Sequence, residues 1–286
     1  MVILSLLMIY PFWYVLIYAF SKGSDAQAGG LYFFPRAFTF ENFQYVLKYP
    51  GLQQATLVTL ARCIVAPVVQ VSLCMLGAYA LSKRQLPGRK AIITFLMVPM
   101  FIGGTVVSNY IIMAKLKLLN NFLIFVLPGA FSYFTSVILR AFIDEIPGEL
   151  QESALIDGAS YPRIFVQIIL PLCKASIAAF LFFGVVGQWL DLNTNLLYIT
   201  KKSLYTLQYI MHRVITSNEA RSMIDYTSGS VQKQLEQLNQ SLQYQPPTPQ
   251  VIKMAIIALV TMPILFIYPF FQKYFVKGML TGSVKA

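Results

Sequence analysis

Five of the chain's eleven acidic residues, Asp144, Glu145, Glu149, Glu152 and Asp157, fall within fourteen positions. Elsewhere, groups that make and break bonds are scarce. Cys63, Cys74 and Cys173 lie in or beside apolar runs without CxxC spacing, which suits small buried hydrophobes better than metal ligands or disulfides. The single histidine, His212, has no Cys or His partner nearby. No GxxxxGK(S/T) loop is present to cradle a phosphate, so any nucleotide chemistry must belong to another chain. These residues support no nucleophilic, acid–base or metal catalysis, and the chain is expected not to be an enzyme. The acid cluster can instead carry charge at a docking surface.

The elements that must position this cluster are apolar. Hydrophobic residues make up 57% of the 286-residue chain and charged residues 12%, about half the charge usual in a soluble domain. Six segments have about the 20 apolar residues that a membrane helix needs: 1–20, 53–81, 91–113, 122–143, 164–189 and 251–272. The first is followed by "AQA" (26–28), which resembles a signal-peptidase site. It has no basic lead-in, however, and it exceeds a signal peptide's apolar run, so it reads as a retained helix whose cytoplasmic lead-in is short or missing. The expected fold is an all-α polytopic membrane protein, a single transmembrane domain over 1–286.

Orientation follows from the short loops. "SKRQLPGRK" (82–90) carries Lys83, Arg84, Arg89 and Lys90 and no acid, so it belongs in the cytoplasm. Alternation then puts 144–163 and the tail inside, loops 21–52 and 190–250 outside, and both termini in the cytoplasm. "AKLKLLNN" (114–121) places two lysines against this rule. The net charge of +11 is therefore read as orientation, and no basic stripe with interleaved aromatics points to nucleic acid.

Arg62 lies 20 residues before Ser82. That is roughly 30 Å along a helix, which predicts snorkelling at the outer interface. Gln70 falls near mid-membrane, where its amide either bonds a neighbouring helix or lines a wet path. Asn109 is a second polar candidate for such a path. Pro67, Pro99, Pro128, Pro171, Pro263 and Pro269 predict kinks.

Within the acid cluster, "IPG" (146–148) is a turn and "ELQESALID" (149–157) reads as a helix of about two and a half turns. Gly158 fits the left-handed position that ends it, and Ser160 can cap the next helix with Pro162 in its first turn. Leu150 and Ala154 share one face, while Glu149, Glu152 and Ser153 share another. Too short to stand alone, the helix must dock. Periodicity leaves two surfaces open, its own protein or a separate one.

The same stretch resembles the EAA loop of ATP-binding-cassette importer permeases. That pattern is E-A-A, three residues, G, nine residues, then I, one residue, L-P. Here it reads Glu152-Ser153-Ala154, "LID", Gly158, "ASYPRIFVQ", Ile168, Ile169, Leu170-Pro171, departing only at Ser153. The resemblance implies a type I (MetI-like) importer permease of six transmembrane helices with a cytoplasmic coupling helix. It implies that Glu149, Glu152, Ser153, Ala154, Asp157 and Gly158 meet a separate ATPase dimer, which carries ATP and Mg while this chain binds no cofactor. Glu152 would pair with a basic residue there, Ala154 would pack on its surface and Gly158 would allow the turn.

The ending "QKYFVKGMLTGSVKA" (272–286) is similar to the tail of the maltose-type second permease of sugar importers, which implies that Gly278 and Gly282 reach the ATPase interface. The family further implies a second homologous permease, an extracytoplasmic solute-binding protein, membrane lipid around the spans and residence in the bacterial cytoplasmic (inner or plasma) membrane. No nucleic acid partner is expected.

The outer loop 190–250 combines tyrosines with neutral hydrogen-bonding groups, a composition suited to sugars. Gln188, Trp189, Asn193 and Asn195 at its base are candidates for the path or for the binding protein. The alternative is a solvated loop with a helix at "QKQLEQLNQSLQ" (232–243), stopped at "PPTP" (246–249). Two rival functions stay open: a permease of the same class for a non-sugar solute, and an ion-coupled transporter. The absence of Asp and Glu from the spans makes ion coupling hard to build.

Overall fold

The computed structural model describes residues 2–30, 33–227 and 248–282. Its regular elements are helices, with one isolated antiparallel bridge between Ser21 and Phe38. In chain order these are α1 (Val2–Ala19), α2 (Gly23–Ala28), α3 (Glu41–Leu47), α4 (Leu52–Ser82), α5 (Arg89–Phe101) and α6 (Val106–Lys115). They continue as α7 (Tyr133–Asp144), α8 (Gly148–Ile156), α9 (Tyr161–Leu172), α10 (Lys174–Leu190), α11 (Asn193–Tyr198), α12 (Leu207–Thr227) and α13 (Pro249–Gly282). Contacts divide the chain into two compact units, Met1–Thr56 with Tyr205–Phe266, and Leu57–Leu204 with Ile267–Ala286.

In the first unit, Ile17, Tyr18, Ala26 and Val251 form a buried cluster. Asn42 is buried, and its Nδ2 donates to the carbonyls of Ala19 and Ser21, each at 2.8 Å. Those carbonyls close the end of α1, where no helical donor remains.

The second unit is organised around α4. Thr59, Arg62, Ala66, Cys74 and Ala78 recur at helical spacing and are buried. The opposite face exposes Leu57, Leu60, Ile64, Val68 and Leu76. A helix that is apolar on its exposed side as well suits lipid rather than water. Val71, Cys74, Met75, Ala78 and Tyr79 of α4 pack with Leu139 and Ile143 of α7 and with Ile164, Phe165, Ile169 and Cys173 around α9. The three cysteines are free and buried.

Among the described residues two helices, α4 and α13, are each long and apolar enough to cross a bilayer, and the α9–α10 pair taken as one broken span makes a third. The run expected over 164–189, with a kink at Pro171, is sharply bent: α9 and α10 meet at 79° across Cys173. Pro171 lacks a backbone donor just before that break, and a π-turn at Phe165–Ile169 already disturbs the helical ladder. The expected run 91–113 divides into α5 and α6 around Gly103 and Gly104, with Thr105 capping α6 by accepting from the Ser108 amide at 3.2 Å. The run 122–143 begins as a 3-10 turn at Phe122–Phe125 and becomes α-helical only at Tyr133.

A close approach fixes α4 against α10. A Cβ added to Gly184 would come within 2.8 Å of the Pro67 Cβ. Gly184→Leu is therefore expected to overpack this crossing and cost about 1–3 kcal/mol. The check is Tm in detergent, which should fall more for leucine than for alanine; an unchanged Tm would show slack at the crossing.

Candidate functional site

The acid cluster is carried by α8, which starts after the extended Pro147 (φ −54°, ψ 130°). Its end is a hydrogen-bonded reversal. Gly158 has φ +80°, its amide donates to the Leu155 carbonyl at 3.0 Å, and the Ala159 amide donates to the Ala154 carbonyl at 2.9 Å. These two bonds are the Schellman pair, which needs a left-handed residue where Gly158 stands. Ser160 occupies the following N-cap position with extended backbone (φ −72°, ψ 155°), but its side chain makes no capping bond. Pro162 lies in the first turn of α9, where a missing donor costs nothing.

Only Gln151 and Ala154 of α8 are half-buried, and Leu150, expected to share the Ala154 face, is exposed. Ala154 is half-buried and packs, with Ile146 and Ala159, on the protein's own apolar cluster. Glu149, Glu152, Ser153 and Leu155 are exposed, and Ile156 is 86% exposed. Asp157 lines a shallow notch of about 250 Å³ with Ala154, Ala159, Arg163 and Gln167. A nine-residue helix is marginal alone, so the Ala154 face must hold it in place while the acidic face stays available.

A contact absent from the sequence pattern fixes α8 to the rest of the unit. The Lys83 Nζ donates to the Gln151 Oε1 and lies 4.6 Å from the Tyr79 ring centroid and 5.4 Å from that of Tyr161. Burial pushes the Lys83 ammonium below the usual lysine range. One basic side chain thus joins the end of α4, α8 and the start of α9. Asp144, at the start of the acid cluster, pairs with Arg140 at 3.2 Å across one helical turn. No spacing signal could have revealed Lys83 and Gln151, which are 68 residues apart.

At the other end of α4, the expected snorkelling of Arg62 is corrected. Its side chain is 0% exposed and pairs with the Asp191 Oδ2 at 3.3 Å. The Nη2 donates to the Asp191 carbonyl at 2.7 Å and to the Gln188 carbonyl, and the guanidinium carbon lies 5.0 Å from the Phe125 ring centroid. The cause is the end of α10, whose last carbonyls have no helical donors and whose negative pole favours a cation. Water is replaced there by built-in acceptors. Among the described residues, the Arg62 Nε and the Gln188 Oε1 are left without partners.

The candidate path residues lie on α4, α6, α10 and α11. Gln188 belongs to this Arg62 assembly, its Nε2 donating to the Phe125 carbonyl at 3.4 Å. Trp189 and Asn195 are buried, the latter donating to the Leu204 carbonyl at 3.3 Å, while Asn193 is exposed at the start of α11. Gln70 is half-buried midway along α4, and Asn109 is exposed on α6 beside Gly104. Helix α13 continues through Gly278 to Gly282. The side-chain surroundings of that tail, residues 283–286 and the expected helix at 232–243 lie outside the described residues.

Residues 71–281 match the family model described as "Binding-protein-dependent transport system inner membrane component". The chain is 34% identical over 277 residues to Protein LplC of Bacillus subtilis strain 168, covering 97% of this chain and 89% of that protein. It is 30% identical over 283 residues to the polygalacturonan/rhamnogalacturonan transport system permease protein YtcP of the same organism, covering 98% and 94%. Among solved structures, it is similar to a chain of a bacterial ABC transporter involved in the import of the acidic polysaccharide alginate, with a TM-score of 0.82 at 22% identity over 96% of this chain and 92% of that one. This last likeness concerns the fold.

Proposed function

Since the chain belongs to the binding-protein-dependent transport system inner membrane components, we propose that it is the membrane-spanning permease subunit of an ATP-binding-cassette importer for a carbohydrate of oligosaccharide or polysaccharide-fragment size. Relatives named for polygalacturonan/rhamnogalacturonan, galactooligosaccharide and maltodextrin transport support the cargo class. The chain does no chemistry itself. It sits in the bacterial inner membrane with six spans and cytoplasmic termini, lipid around it and a second homologous permease completing the path. A separate ATPase dimer with its ATP and Mg works from the cytoplasm, and a solute-binding protein delivers cargo from outside.

The observation that carries this function is α8, a short helix held to its own protein by one face and exposing acids on the other. An ATPase subunit seated on Glu149, Glu152 and Ser153 would move α8 as a body. Lys83 and the Ala154 packing would pass that movement to α4, and the Arg62 assembly would pass it on to α10. Such rigid-body transmission is what alternating access requires. Gly278 and Gly282 add a second ATPase contact from the tail, and Gln70, Asn109 and Asn193 remain the polar groups available to the path.

The test is ATP-driven uptake of a radiolabelled oligosaccharide by the complete importer in proteoliposomes. Uptake is expected from the native complex and is expected to be lost in Glu152→Lys, with the ATPase no longer co-purifying. Import of a non-sugar solute alone would refute the cargo class, and full uptake by Glu152→Lys would refute the coupling role.

A further inference from the structure

The two lysines that break the orientation rule do not stand alone. Lys83 with Gln151 marks one end of α4, and Arg62 with Asp191 and Phe125 marks the other. Segment 116–121 belongs to the Arg62 end, because Asn120 clamps it to the chain that follows α11. The Asn120 Oδ1 accepts from the Thr200 amide at 2.6 Å, the Lys201 amide at 2.9 Å and the Thr200 hydroxyl at 3.1 Å, while the Asn120 amide donates to the Tyr198 carbonyl at 3.1 Å. Lys115 and Lys117 are thereby brought to the same edge as Lys201 and Lys202, and all four are exposed.

This edge carries positive charge with no carboxylate close by in sequence. The sequence has no carboxylate from 102 to 143 or from 192 to 218, and the Asp191 between them is taken up by Arg62. An aromatic surface adjoins the lysines: Tyr110 stacks on Tyr198 with centroids 6.0 Å apart and planes 12° apart, and Tyr110 stays 43% exposed. The backbone is also held in an uncommon state. Lys117 and Asn120 both have φ +56°, although a left-handed residue closing a helix is usually glycine. Lys117 occupies the glycine position of the turn that ends α6, with the Leu118 amide donating to the Met113 carbonyl at 3.0 Å.

Resting on the importer function above, we propose that this edge receives the cargo at the outer mouth and that the cargo is an acidic oligosaccharide, a chain of uronate-type sugars. Carboxylates repeated along such a chain meet the four ammonium groups, and its C–H faces meet the Tyr110–Tyr198 stack. Neutral sugars would use the tyrosines alone.

The test measures binding of fluorescent tetragalacturonate, and of the same tetrasaccharide with its carboxyls reduced, to the permease–ATPase complex in phosphatidylcholine nanodiscs with the binding protein omitted. The reduced sugar is expected to bind roughly tenfold more weakly, and the affinity for the acid to fall as salt rises. A variant combining Lys115→Gln, Lys117→Gly, Lys201→Gln and Lys202→Gln should lose about as much affinity for the acid and none for the reduced sugar. Lys117→Gly alone should weaken acid binding while leaving Tm level or raised, which separates the charge from the fold. Equal affinity for the two sugars, or unchanged acid binding in the combined variant, would overturn the proposal and leave the lysines to lipid phosphates. A variant that binds the acid normally but no longer captures the binding protein would also overturn it. ATP-driven uptake separates the two levels: import of the neutral tetrasaccharide alone would overturn only the acidic cargo, whereas import of a non-sugar solute alone would overturn the carbohydrate importer function too.

Discussion

Gly158→Val is expected to leave the protein in the membrane yet abolish substrate-stimulated ATP hydrolysis. A Cβ at this position meets nothing within 4 Å, so the defect is not a clash. It is conformational: φ is +80°, and a branched side chain held left-handed costs on the order of 1–2 kcal/mol. The chain can relieve that cost only by giving up the bonds from Gly158 to Leu155 and from Ala159 to Ala154, which fix the exit angle of α8. A nine-residue helix has little else to hold its shape, so its acidic face loses its presentation. Gly158→Asn, which tolerates the left-handed region, should retain most of the activity. Measurement of ATP hydrolysis with and without cargo, alongside co-purification of the ATPase, decides the matter. Normal stimulation in the valine variant would mean that the reversal does not position the coupling surface.

Arg62→Met is expected to destabilise the second unit by about 3–5 kcal/mol, the range for breaking a buried ion pair. The lower part of that range applies, because the Asp191 side chain is 25% exposed and water can take up its freed carboxylate. Asp191→Leu should be at least as severe, since it strands a fully buried guanidinium whose Nε already lacks a partner among the described residues. The double variant Arg62→Met/Asp191→Leu should recover much of the loss, because two apolar side chains leave no unpaired charge. Thermal unfolding of the four proteins in detergent forms the double-mutant cycle. If the two single losses simply add, the two residues are not coupled.

Local pattern was the part of this protein legible from sequence. The helix read at 149–157 is α8 at Gly148–Ile156, and Gly158 closes it as its spacing requires. Every bond that defines that turn spans five residues or fewer, so the residue types alone specify it. The apolar character of α4 and α13 was equally plain, because a bilayer demands about 20 predominantly apolar residues in a row. The proline at 171 announced a kink there, but neither its size nor the interruption at Gly103–Gly104 was legible, since composition records how apolar a run is and not whether its helix continues.

The tertiary structure decided which polar groups meet. Arg62 finds Asp191 across 129 residues and Lys83 finds Gln151 across 68. Neither distance leaves a trace in periodicity, because the partner is chosen by how a neighbouring helix is rotated and where it ends. An arginine near a membrane boundary looks the same in sequence whether it reaches water or a helix terminus. Here the free carbonyls at the end of α10 lie closer than water, and the charge turns inward. The sequence alone determined an apolar chain with a short acid-bearing helix and a glycine that closes it. Packing determined that this helix is tied to α4 through Lys83 and that the far end of α4 is tied to α10 through Arg62.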